Sequence, residues 1–154
     1  MAEHGARIDP RFFAETADWP LPAKFAYLYF IGAQGSDGIT GVCHQTDMVL
    51  RAELGFSHKQ CRSAFDWLKE AKKVLFYDDG WYWVVRRPFY TLITSENVPY
   101  KNNVIAAGKF LSQRQIPPAL VSDFLRFYGR VFDEAKVERP RPVEWADSQG
   151  APGV

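Results

Sequence analysis

Thr46-Asp47-Met48-Val49-Leu50-Arg51-Ala52-Glu53-Leu54-Gly55-Phe56-Ser57-His58-Lys59-Gln60-Cys61-Arg62-Ser63-Ala64-Phe65-Asp66-Trp67-Leu68 is the stretch that decides how this chain folds. Thr46 is an N-cap residue, whose short side-chain oxygen accepts a first-turn N–H, and Asp47 adds negative charge where the helix dipole favours it. A helix is predicted over Thr46 to Leu54, with Met48, Val49, Ala52 and Leu54 on its buried side. Gly55 ends it, because glycine enters the left-handed region at no steric cost. Phe56 is the apolar plug of the turn. Ser57 then caps a second helix that reaches Lys72 or Lys73. Cys61, Ala64, Phe65 and Leu68 fall at i, i+3, i+4 and i+7, one helical face. On that reading Phe65→Ala costs about 3–5 kcal/mol. Two helices joined by so short a turn have helix-turn-helix spacing.

Working outward, Val74-Leu75-Phe76-Tyr77 and Trp81-Tyr82-Trp83-Val84-Val85 are two β-prone runs flanking Asp78-Asp79-Gly80, a hairpin signal. Pro88 ends the second strand, since proline cannot continue a ladder. Alternation sets Trp81 and Trp83 on one face and Tyr82 on the other. The two tryptophans either pack in the core or, with Trp67, form an exposed aromatic patch. Upstream, a helix from about Pro22 to Ile31 is apolar nearly all round, with Phe25, Leu28 and Tyr29 in an i, i+3, i+4 pattern, so it is expected to be central. Gly32, Gly35 and Gly38 then break the chain, and Gly38 to Val42 is a short extended candidate.

Residues 1–20 read as an arm docked through Phe12, Phe13 and Trp19. Residues 21–90 hold the helix-turn-helix and hairpin. Residues 91–132 are a helical extension, with helices at Asn103 to Gln113 and Pro117 to Tyr128. Residues 133–154, rich in proline and glycine with few apolar anchors, read as a disordered tail. The fold class expected is mainly α with a small β-hairpin. The stripe Leu120, Val121, Phe124, Leu125, Phe127 and Tyr128 is wider than a lone surface helix needs. It is covered either by the chain's own core or by a second copy.

A net charge of +1 excludes a uniformly basic nucleic-acid coat, so any DNA-binding surface must come from charge segregated onto one face. Two cysteines, Cys43 and Cys61, make no disulfide framework. The first residues carry no apolar signal core and no run approaches the ~18–20 residues that span a bilayer, so the expectation is a cytoplasmic protein. Cys43, His44, His58 and Cys61 have the inventory of a zinc site but not its spacing, and buried thiols are the preferred reading; no metal or cofactor is expected. Gly32-Ala33-Gln34-Gly35-Ser36-Asp37-Gly38 lacks the Lys-Ser/Thr of a phosphate loop, and neither Gly-x-Ser-x-Gly nor His-Glu-x-x-His occurs. The sequence therefore points away from an enzyme.

With Ala26-Tyr27-Leu28-Tyr29, Gly38-Ile39, Leu54-Gly55-Phe56-Ser57, Leu68 and Trp83-Val84 in this order, residues 9–90 resemble the winged helix-turn-helix domain of phage and prophage replisome-organiser proteins. The resemblance implies duplex DNA or a replication protein as partner, at a phage origin. In folds of this layout the second helix of the motif enters the major groove through its N-terminal residues. Here that helix offers Ser57, His58, Lys59, Gln60, Arg62, Ser63 and Lys69, with Asp66 on the same side. Lys59, Arg62 and Lys69 suit phosphates or a guanine edge, and Gln60 suits adenine. Arg86 and Arg87 end the hairpin and either offset its acidic tip, Asp78-Asp79, which repels a phosphate backbone, or are ordinary surface charges. Those carboxylates keep the alternatives open: a protein-interaction module, dimeric through the C-terminal helices, or a transcriptional regulator.

Overall fold

The computed structural model describes Ile8 and residues 10–142. The start of the expected arm and the tail beyond 142 lie outside them. The chain divides into two units, Met1–Arg87 and Pro88–Val154. Among the described residues it is mainly helical, with one small antiparallel sheet and no helix long and apolar enough to cross a membrane.

In the first unit the arm contains a short helix, α1 (Phe12–Glu15). Phe12 is buried and stacks on Tyr27, with ring centroids 5.7 Å apart, while Trp19 meets the same tyrosine edge-on at 5.2 Å. The arm is docked as expected, except that Phe13 is exposed. Helix α2 (Leu21–Gly32) opens with Pro22 in its first turn, where a missing N–H costs nothing. Its buried face is Ala23, Ala26, Tyr27 and Phe30. That corrects the Phe25, Leu28 and Tyr29 stripe: Phe25 is exposed and the other two are half-buried. An all-round apolar helix carries no polarity to select a face, and the face is set by its neighbours: α2 packs on α4 and the sheet.

Strand β1 (Val42–His44) follows, then α3 (Asp47–Leu54) and α4 (His58–Glu70). The Thr46 hydroxyl accepts from the Val49 N–H at 3.3 Å, and Gly55 closes α3 with φ of +69°. Only Leu50 and Leu54 of α3 are buried; Met48, Val49 and Ala52, expected inside, are exposed. A short helix touching its neighbours along one line buries residues four apart, which the pair 50 and 54 satisfies. Helix α4 starts with a full capping box. The Ser57 hydroxyl accepts from the Gln60 N–H at 3.2 Å, and Gln60 Oε1 accepts from the Ser57 N–H at 2.8 Å. Ser57→Ala is therefore expected to cost about 1 kcal/mol. Urea unfolding should show a lower midpoint at unchanged slope; an unmoved midpoint would mean that the box contributes nothing.

Cys61, Ala64 and Leu68 of α4 are buried, and Phe65 is only half-buried. Strands β2 (Val74–Tyr77) and β3 (Trp81–Val84) form the expected hairpin, with Val74 opposite Val84 and Tyr77 opposite Trp81. The third strand, β1, pairs antiparallel with β3, giving the order β1-β3-β2. Because β3 is central, all four of its residues are buried. Tyr82 packs against Phe30 at 4.9 Å, and the Trp83 indole N–H donates to the Thr40 carbonyl at 2.9 Å. The hairpin tryptophans are thus buried rather than an exposed patch.

The second unit begins within α5 (Arg87–Thr91), a helical turn in a region expected to be irregular. Helices α6 (Lys101–Leu111) and α7 (Pro118–Ala135) pack on each other. Val104, Ala107 and Leu111 of α6 and Leu120, Val121 and Phe124 of α7 are buried. Helix α6 thus meets the Leu120, Val121 and Phe124 part of the α7 stripe, while Leu125 and Tyr128 are half-buried and Phe127 is exposed. Helix α7 also runs on through Ala135, so the tail does not begin at 133. Lys136 takes a left-handed cap, the Val137 N–H reaches the Phe132 carbonyl at 2.9 Å, and the Arg139 guanidinium donates to Asp133 at 2.9 Å. The Arg139 guanidinium lies over Gly129, where a Cβ would meet it at 2.9 Å and displace it.

Candidate nucleic-acid interface

Helix α4 has two unlike faces. Cys61, Ala64 and Leu68 fix one on the core of the first unit, and His58, Lys59, Arg62, Ser63, Asp66 and Lys69 are exposed on the other. The cations Lys59 and Arg62 lie in the first two turns with His58 beside them, and the carboxylates Asp66 and Glu70 follow. Arg62 Nη2 lies 3.3 Å from His58 Nε2, so the guanidinium is steadied one turn from the helix start. Lys59, Arg62, Ser63, Asp66, Trp67 and Glu70 line a shallow open groove along this surface. Trp67 forms part of its floor while packing on Trp19, with ring centroids 5.0 Å apart.

Of the other sequence-named residues, Ser57 and Gln60 are exposed, but both are held in the capping box. Bidentate adenine recognition needs the amide oxygen as well as the NH₂, and in Gln60 that oxygen already accepts from Ser57. The structure thus gives Gln60 a capping role beside the adenine contact that its side chain suggests. Arg87 is half-buried, and its Nε donates to the Gly38 carbonyl at 3.0 Å. Burial lowers its pKa, and a Cβ on Gly41 would lie 2.5 Å from its own Cβ. It ties the end of β3 to the Gly38 turn. Arg86 is exposed beside it.

No family model, curated protein or solved structure matches this chain.

The hairpin tip is held down. The His44 ring stacks on Trp81 at 4.0 Å with an interplanar angle of 4°, and His44 Nε2 lies 3.1 Å from the Asp79 carbonyl. The Gln45 N–H donates to the Gly80 carbonyl at 3.0 Å. Gly80, with φ of +77°, passes so close to Gln45 that a Cβ would meet its carbonyl oxygen. Asp78 and Asp79 remain exposed at this tip. This clamp escaped the sequence reading, because it depends on β1 pairing with β3.

The four zinc-type residues are not brought together. Cys43 and Cys61 are buried, and burial raises both thiol pKa values. His44 projects from the other face of β1 onto Trp81, and His58 sits beside Arg62. Among the described residues no group of three or more His, Cys, Asp or Glu is placed to hold a metal ion.

Proposed function

We propose that the first unit is a winged helix-turn-helix module, non-enzymatic, that binds duplex DNA through the exposed face of α4. The observation that carries the reading is the division of α4 itself: an apolar face anchored in the core and an exposed face whose first two turns offer His58, Lys59, Arg62 and Ser63. The order α2, β1, α3, tight turn, α4, hairpin supports it, as does the short Gly55-Phe56 link. A recognition helix works through its N-terminal turns, where the cations cluster here. The resemblance to phage replisome organisers makes replication initiation the favoured setting, with transcriptional regulation the alternative. Lys59, Arg62, Ser63, Lys69 and Arg86 are the contact residues of this reading, with Ser57 and Gln60 supporting the helix start.

The test is a fluorescence titration of random-sequence duplex DNA at low salt. Trp67, on the groove floor, supplies the signal. Arg62→Ala and Lys59→Ala each weaken binding. Absence of binding at ~100 µM protein would remove the reading, since non-specific affinities are typically tighter than ~10⁻⁴ M. The acidic tip, clamped onto Gln45, is not a phosphate contact on this reading. Asp78→Asn leaves the affinity within about twofold in the same titration, whereas a tip close to phosphates would bind markedly tighter once a repelling charge was removed.

A second reading, a protein-docking module, is favoured by the exposed apolar side chains of α2 and α3. Leu21 is 74% exposed and Met48 76%, and Phe25 of α2 lies 5.9 Å from Phe56 in the turn after α3. If this reading holds, α4 substitutions leave partner binding unchanged and Phe25→Ser abolishes it.

A further inference from the structure

The exposed face of α4 carries a carboxylate, Asp66, four residues after Arg62, and both side chains line the same groove. A carboxylate on a surface that approaches DNA is repelled by the phosphates, and a base-edge donor offsets that repulsion. In the major groove the cytosine N4 amino group is a donor with no acceptor beside it on the same base edge. Adenine N6 sits next to the N7 acceptor, and guanine offers acceptors alone. Asp66 therefore has one well-matched base. Arg62, whose planar fork suits two acceptors, has guanine O6 and N7. Gln60 has its amide oxygen on the Ser57 N–H in the capping box, so it is left out of the base-reading pair.

On the reading that α4 binds duplex DNA, we propose that the helix selects a guanine through Arg62 and a cytosine through Asp66. The rise between the two residues is about 6 Å along the helix axis. That is about two base-pair steps at ~3.4 Å each, so both bases fall within one short G·C-containing element. Asp66 serves as a discriminator here: it lowers affinity for DNA in general and restores it where cytosine is correctly placed.

The experiment selects bound duplexes from a pool with a randomised core, using the full chain and its Arg62→Ala, Asp66→Ala and Gln60→Ala variants. Wild type enriches a guanine and a cytosine about two steps apart. Arg62→Ala loses the guanine preference and keeps the cytosine. Asp66→Ala loses the cytosine preference, roughly tenfold or more in discrimination, while binding the unselected pool several-fold tighter than wild type. That gain is one that a merely structural role for Asp66 would not produce. Gln60→Ala selects the wild-type element; it is assayed well below its unfolding midpoint because it weakens the cap. Duplexes that bind with the same preference in the Arg62 and Asp66 variants, or an adenine preference that vanishes with Gln60→Ala, would overturn the inference and leave DNA binding intact. A pool that does not bind at low salt removes the DNA reading itself, and the specificity with it.

Discussion

Replacing Phe30 with alanine is expected to destabilise the first unit by about 3–5 kcal/mol, the range for a buried phenylalanine whose cavity cannot collapse. Phe30 is fully buried and stands where α2, α4 and the sheet meet. Its ring centroid lies 5.5 Å from Phe65, 6.1 Å from Phe76 and 4.9 Å from Tyr82. Truncation removes its own transfer free energy and one partner from each aromatic pair. The loss is a large share of the ~5–15 kcal/mol that usually holds a domain together. Urea unfolding followed by circular dichroism reads it as a lowered midpoint. Phe65→Ala should cost clearly less than the 3–5 kcal/mol its helical spacing suggests, because Phe65 is only half-buried and solvent replaces part of what is removed. If Phe65 proved the costlier of the two, the core would not be centred on α2.

The elements were legible wherever the signal was local. Thr46, Gly55 and Ser57 act through hydrogen bonds or backbone conformation within a few residues of themselves, and the helices they bound are found where the caps predict. The Asp-Gly tip between two β-prone runs is equally local, and the hairpin follows. What was not legible depends on residues distant in sequence. The buried faces of α2 and α3 are chosen by packing between elements, so Phe25, Met48 and Val49 were assigned inside and lie outside. The pairing of β1 with β3 joins residues about forty positions apart, such as Val42 with Trp83, and neither strand announces its partner. The end of α7 was missed because Asp133, Glu134 and Lys136 look like the start of a polar tail. Asp133 is held by Arg139, the Lys136 N–H donates to the Asp133 carbonyl, and the Val137 N–H returns to Phe132.

The candidate interface was legible to a similar depth. Subtracting a 3.6-residue apolar stripe from α4 leaves the face that is in fact exposed, because α4 alternates strongly between small apolar and charged residues. The same arithmetic cannot see that Gln60 and Ser57 bond to each other, or that Arg87 spends its Nε on Gly38. All three are exposed-looking polar residues on sequence grounds, and all three make bonds within the fold.

The affinity of the full chain for random duplex DNA is expected to fall steeply with salt, despite a net charge of only +1. Counterion release responds to the phosphates actually neutralised, not to the charge of the whole molecule. The candidate contacts are Lys59, Arg62, Lys69 and Arg86; Arg87 donates to the Gly38 carbonyl and His58 lies against Arg62. If three or four of these cations meet phosphates, log K against log salt has a slope of roughly −2.7 to −3.6, and a fourfold rise in salt costs about fortyfold to somewhat over a hundredfold in affinity. Lys69→Ala should reduce the slope by about one and weaken binding to all sequences alike. Arg62→Ala separates the two uses of a cation. If Arg62 reads a base, its removal from random DNA changes the slope little but erases preference among selected duplexes; if it holds a phosphate, it behaves as Lys69 does. Asp66→Ala should raise affinity for random DNA at every salt concentration, with the gain shrinking as the Debye length falls. A slope near zero for the wild-type chain, with affinity insensitive to all four cations, would mean that the face of α4 does not meet DNA.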